Sequence, residues 1–190
     1  MNKKIYLVLL LPLFILACSS EPKQPETSLE ISPKFEMPAE FQQHVGTVVV
    51  DYYAFKDALV QSDAVTAAER AEDLRTTIAN VPTDTLDGSE ARDVWFMVVN
   101  EINQISADIS NESDVERQRE LFVDLTSNIE MMVNAFGVKG ISMYKQHCPM
   151  AFNDTGANWF SSERKIMNPY FGDRMLHCGT VEQTIAKSGE

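Results

Sequence analysis

Positive charge is what this chain has least of. Sixteen lysines and arginines stand against 28 aspartates and glutamates, a formal net charge of −12 over 190 residues. Nucleic acid is bound through clusters of Lys and Arg, so the balance argues against it as a partner. An apolar run of membrane-spanning length is missing as well. Ile5 to Leu16 is about a dozen residues, where a spanning helix needs ~20. No serine, histidine and acid arrangement and no phosphate-binding glycine loop occurs, which argues against an enzyme. Cysteine and histidine are scarce, three of each, so their positions carry the information.

One cysteine sits near the start. Lys3 and Lys4 precede the apolar run, and Ala17 stands directly before Cys18. This is the pattern of an export signal. The segment Ile15-Leu16-Ala17-Cys18 resembles the bacterial lipobox, which implies cleavage before Cys18 and acylation of its thiol and new amino terminus. Lipid on Cys18 then ties the chain to a membrane, facing the periplasm. Ser19 to Pro38 is rich in Ser, Pro, Glu and Lys and poor in large apolar residues, a composition that reads as a tether. The chain divides accordingly into a signal peptide (1–17), a lipidated cysteine with a flexible tether (18–38), and one domain (39–190). That domain, about 150 residues, suits a single core.

The domain reads as mainly α, an antiparallel bundle of about four helices. Phe41, Val45, Val48, Tyr52, Phe55 and Leu59 recur at steps of four and three, one stripe of a helix from about Glu40 to Gln61. Gly46 and the β-branched Val48 to Val50 work against that helix by propensity, but the spacing prevails. Ser62 or Asp63 is the expected cap of a second helix with Val65, Ala68, Ala71, Leu74 and Ile78 facing inward, stopped by Pro82. A third starts near Ser89 with Ala91, Val94, Val98, Ile102, Ile105 and Ile109. A fourth opens at Ser113, whose spacing to Glu116 is that of a capping box. It runs through Val115, Phe122, Leu125, Ile129, Met132 and Phe136 to a C-cap at Gly137. Four stripes on short connections bury one another as a bundle.

From Gly140 the helical period stops and Gly, Pro and Asn become frequent, leaving an irregular segment with room for a short β-hairpin. Here function is to be sought. His147-Cys148 and His177-Cys178 recur as pairs, with Met150 two residues after one cysteine and Met175 three before the other. Thiolate and thioether sulfur prefer Cu(I), and by the same argument Ag(I). An extended Cys-x-Met step puts both sulfurs on one side, and a Met-x-x-Cys step does so across a turn. Cys148, Met150, Met175 and Cys178 are therefore candidate metal ligands. His147 and His177, adjacent in sequence to the thiols, point the other way in an extended chain and are expected at the surface or hydrogen-bonded to a ligand. The competing state is a disulfide, because two cysteines remaining in an oxidising compartment normally pair. Closing a loop of about thirty residues would stabilise the fold by roughly 3.5 kcal/mol in the chain-entropy model. Bridge and dithiolate exclude each other. Trp159, Phe160, Tyr170 and Phe171 are expected to pack the segment onto the bundle.

The string Cys148-Pro149-Met150-Ala151-Phe152, with Gly156-Ala157-x-Trp159, Asn168-Pro169-Tyr170-Phe171-Gly172 and Met175-Leu176-x-Cys178-Gly179, resembles a family of small bacterial envelope domains of unknown function. Tyr53-x-x-x-Lys56-Asp57-Ala58-Leu59-Val60 extends the likeness upstream. Members occur as lipoproteins or attached to periplasmic adaptor subunits of heavy-metal efflux pumps. The resemblance implies copper or silver handling, with an efflux adaptor or copper acceptor as partner, and it carries over the same four sulfurs as ligands. The chain departs from the pattern at Phe160 and Met167, and Met167 adds a further candidate sulfur. The expectation is thus a membrane-tethered Cu(I)-binding or Ag(I)-binding protein, with a disulfide-stapled interaction module as the alternative.

If the lipobox reading is right, cells expressing the full chain incorporate labelled palmitate into it and it partitions into detergent. Cys18→Ser should abolish both; a variant that still carries label would refute the assignment.

Overall fold

The computed structural model describes residues 32–86 and 88–186; the expected signal peptide, Cys18 and the tether as far as residue 31 lie outside the described residues. Four helices come first: α1 (Ala39–Val60), α2 (Ala64–Ala79), α3 (Ser89–Ser110) and α4 (Val115–Phe136). The mainly α bundle expected from the stripes is present. Helix α1 packs on α2 and α4, α2 on α3, and α3 on α4. All six α1 stripe residues, Phe41 to Leu59, are buried. Gly46 is required inside α1 because a Cβ there would lie 2.5 Å from the Lys139 carbonyl oxygen. The helix-weakening residue is thus the point at which the chain leaving α4 crosses α1.

Three details depart from the expected stripes. In α2 the inward positions are Ala67, Ala71, Leu74 and Ile78, whereas Val65 is 72 % exposed. With Asp63 as the cap, accepting from the Thr66 N–H at 3.0 Å, Val65 falls on the outer side of the first turn. In α4 the cap is Asp114, which accepts from the Glu116 N–H, and not Ser113. Glu112 reaches forward instead to the N–H groups of Ser113 and Asp114. Trp95, outside the α3 stripe as read, is buried at the end of the bundle where α1 begins and α4 ends, with its ring 5.1 Å from Phe41 and 5.3 Å from Phe136. Gly137 ends α4 at φ 76°, as its position implies. The last residues of the expected tether lie against the bundle: Lys34 and Phe35 donate to the carbonyls of Asn134 and Ala135, and the Phe35 ring sits 5.5 Å from Phe136.

After α4 the chain makes a three-stranded antiparallel sheet in the order β2-β1-β3, with β1 Met143–Cys148, β2 Ala157–Ser161 and β3 Thr180–Ala186. β1 and β2 are the hairpin for which the sequence left room, and β3 adds the third strand. Among the described residues no helix is long and apolar enough to cross a membrane.

Two buried polar side chains dock this sheet and its loops on the bundle. The Tyr52 hydroxyl pairs with Thr126 Oγ1 at 2.9 Å and accepts the Phe160 N–H of β2 at 3.1 Å. Burial pushes the Tyr52 phenol far above its ordinary pKa, so it stays a neutral donor. Arg119 of α4, 2 % exposed, spreads its guanidinium over three elements. It donates to Leu59 O and Ser62 Oγ at the end of α1, to Pro169 O in the loop before β3, and to Glu116 on its own helix. Around them Trp159, Phe160 and Tyr170 are buried, with Tyr170 5.6 Å from Phe122 and Trp159 6.0 Å from Tyr170. The packing role expected of these rings holds.

Arg119→Ala should lower stability in urea by about 3 kcal/mol, because Pro169 O is left buried without a donor, Leu59 O keeps only backbone N–H donors and the joint between α1, α4 and the loop is lost. Lysine should not restore it, since one ammonium cannot reproduce a planar fork. A loss under about 1 kcal/mol would show that the clamp is dispensable.

Candidate functional site

Cys148 is the last residue of β1 and is fully buried. Pro149 has no N–H to continue the ladder, and the chain turns at Pro149 and Met150. Phe152, Asn153 and Asp154 then follow one another in the left-handed region, at φ 51°, 56° and 64°, before Gly156 at φ 81° delivers the chain to β2. Three successive non-glycine residues there are costly, about 1 kcal/mol each. The turn closes with Gly156 N–H on Ala151 O at 2.9 Å. A Cβ on Gly156 would meet the His147 ring at 2.7 Å, so this tight return also needs glycine.

Cys178 arrives from a loop organised by a residue whose role the sequence did not reveal. Asn168 is fully buried. Its N–H donates to Leu176 O, its side-chain amide donates to Cys178 O, and its Oδ1 accepts the Tyr170 N–H, each at 2.8 Å. Cys178 N–H in turn reaches Met175 O at 3.0 Å, the turn that the Met-x-x-Cys spacing allows. Gly179 passes within 2.7 Å, measured from an added Cβ, of His147 O, which seats the loop on the end of β1.

The result is that Cys148 Sγ and Cys178 Sγ stand 3.2 Å apart as free thiols. A disulfide requires ~2.05 Å. Two sulfurs on one ion at ~2.3 Å with tetrahedral spread stand roughly 3.8 Å apart. The pair lies between the two, within a small side-chain rotation of either. The Cys178 thiol is pushed up in pKa, first by its hydrogen bond with Cys148 and then by burial and the charge its neighbour would carry.

Of the methionines, Met150 departs from the extended step that its spacing implied. Met150 is not extended (φ −91°, ψ −7°) because Pro149 has already ended the strand, so strict alternation does not place its sulfur beside Cys148. It is 47 % exposed. Met150 and Met175 both line a groove of about 490 Å³, walled by Phe152, Tyr170 and Phe171 and edged by Glu116 and Arg174, whose lining includes neither thiol. Met167 is half-buried and does not line that groove. His147 Nδ1 lies 2.7 Å from Asn158 Oδ1, and His177 Nδ1 donates to Ile166 O at 2.9 Å. Among the described residues no three His, Cys, Asp or Glu side chains gather as they would to hold a metal ion.

Residues 48–140 match the model of a family described as a protein of unknown function, DUF3347. The match spans the bundle from the middle of α1 and ends before β1, so it bears on the helices and not on the sulfurs. No curated protein and no solved structure matches the chain.

Asn168→Ala should cost about 2–3 kcal/mol in chemical denaturation, since Cys178 O and Tyr170 N–H lose their buried partner. It should also slow formation of the Cys148–Cys178 bond by an added oxidant. Unchanged closure kinetics would mean that Asn168 does not hold the loop.

Proposed function

We propose that this chain is a lipid-tethered envelope module whose working element is the Cys148–Cys178 pair. In an oxidising compartment the pair rests as a disulfide that staples the C-terminal sheet and makes the domain a rigid interaction module of an envelope complex. The observation that carries this reading is the 3.2 Å separation of the two sulfurs. Closing that contact needs no residue besides the two cysteines, and the small domain gains a covalent link between β1 and the loop before β3.

A second reading is favoured by one further observation, the presence of both Met150 and Met175 on a single groove, each a few residues from a thiol. When reduced, the thiols with these thioethers suit Cu(I) or Ag(I), and the domain sequesters the ion in the periplasm or delivers it to an efflux or acceptor system. Transfer then proceeds by ligand exchange, an acceptor's sulfurs replacing the weaker thioethers first. The acidic surface raises the local concentration of cations without selecting among them.

The two readings part in one experiment. Native domain is isolated without reductant and its free thiols are counted, then it is reduced and titrated anaerobically with Cu(I) against a chromogenic chelator. No free thiols before reduction, with no copper retained after it, is the outcome expected of a staple. Two free thiols, with copper retained and then lost in the Cys148→Ser/Cys178→Ser double variant, is the outcome expected of a metal carrier. Two free thiols and no retention would overturn both.

A further inference from the structure

The sulfurs near the thiol pair differ in exposure. Cys148 is fully buried, Cys178 and Met175 are half-buried, and Met150, two residues on from Cys148, is 47 % exposed. Met150 and Met175 share a groove that is open to solvent, and neither Cys148 nor Cys178 belongs to its lining. The hydrogen bond from Cys178 N–H to Met175 O, 3.0 Å, ties the groove residue Met175 to the thiol pair within a single turn. Both walls of the groove are held. The Met150 side is fixed by the left-handed residues Phe152 to Asp154, and the Met175 side by the 3-10 turn Gly172–Arg174 and by Asn168.

We propose that Met150 and Met175 form an outer port through which a soft monovalent cation reaches the thiol pair, distinct from the inner site that retains it. This inference rests on the Cu(I) reading above. Thioethers are neutral and bind such an ion weakly enough to release it, whereas thiolates carry charge and hold it. The ion enters the groove, exchanges donors from outside for the two thioethers, and then passes to Cys148 and Cys178. Each thiol gives its proton to solvent as its sulfur takes the ion, so one cation enters and two protons leave. A port differs from a ligand in a measurable way. It lowers the barrier for loading and for release alike and leaves the equilibrium between them unchanged.

The test uses the reduced mature domain and its Met150→Leu, Met175→Leu and double variants, leucine being close in volume to methionine. Cu(I) is delivered anaerobically from a chromogenic chelator in a stopped-flow mixer, the end point gives retention, and Ag(I) serves as a second probe. The double variant is expected to load and unload about tenfold more slowly, equivalent to one decade in rate, with retention within about threefold of the parent. Rates unchanged by the substitutions would overturn the port while leaving the metal reading intact. Retention falling in step with the rate would also overturn it, because the four sulfurs would then be one site. A parent domain that retains no ion would overturn the metal reading and the port together.

Discussion

The guanidinium of Arg119 is the constraint on which the placement of the sulfurs depends. It is the side chain that holds the end of α1, the start of α4 and the loop leading to Cys178 in one hydrogen-bonded group. Burial disfavours its charge, lowering its pKa, and only Glu116 opposes that among its hydrogen-bond partners. Such a group is tolerated inside a protein when each donor has an acceptor in place. The acceptors here are the Glu116 carboxylate, Leu59 O and Ser62 Oγ at the end of α1, and Pro169 O, and the last is in position only when the loop is seated. Gly172 completes the fit, since a Cβ there would press on Ser62 Oγ at 2.6 Å and on Arg119 at 3.0 Å. The clamp therefore converts a bundle with an attached segment into a frame that fixes where Cys178 can be.

The bundle was legible in the sequence because each helix must bury one stripe, and a stripe leaves a period. α1, α3 and α4 were readable to within a residue or two at their ends. The errors fell where a local hydrogen bond outweighed periodicity. Asp114 displaced Ser113 as cap because Glu112 claims the Ser113 N–H, and Val65 lost its inward place to Ala67 in the first turn after Asp63. Trp95 was passed over because it sits beside the stripe and not on it, filling the space between Phe41 and Phe136.

The sheet was legible only in part, and for a different reason. Strands β1 and β2 are joined by a short turn rich in Gly, Pro and Asn, which is a local signal. The pairing of β1 with β3 joins residues about as far apart as His147 and Thr180, and no local pattern announces such a contact. Two register shifts in that pairing further blur the alternation of β3. For the site, the convergence of the thiols was anticipated from their compartment and spacing, but Asn168, which seats Cys178, was not. A buried asparagine serving three backbone groups looks in sequence like any other turn-forming asparagine. Pro149 carried the signal that Met150 leaves the strand, and the spacing argument for Cys148 and Met150 did not use it.

The raised pKa of Cys178 connects the two states open to the pair. Disulfide formation begins from a thiolate, and a thiol that is hydrogen-bonded to its neighbour and partly desolvated yields less thiolate at neutral pH than a free cysteine does. Proximity favours closure while protonation slows it. The sign is that of an acid held in its neutral form. Reduced protein is favoured below the range in which a free cysteine ionises, about 8.5, and that contribution fades as pH rises through the higher folded value. A soft cation meets no such barrier, because it displaces the proton as it binds. On the two proposed readings an oxidant and a soft cation would compete for the same two sulfurs under different rules: the oxidant waits on ionisation, and the cation would bring it about. Burial sharpens the asymmetry, because Cys148 is closed to solvent while Cys178 is partly open. An oxidant arriving from solvent therefore meets first the sulfur on the loop that Arg119 and Asn168 hold in place.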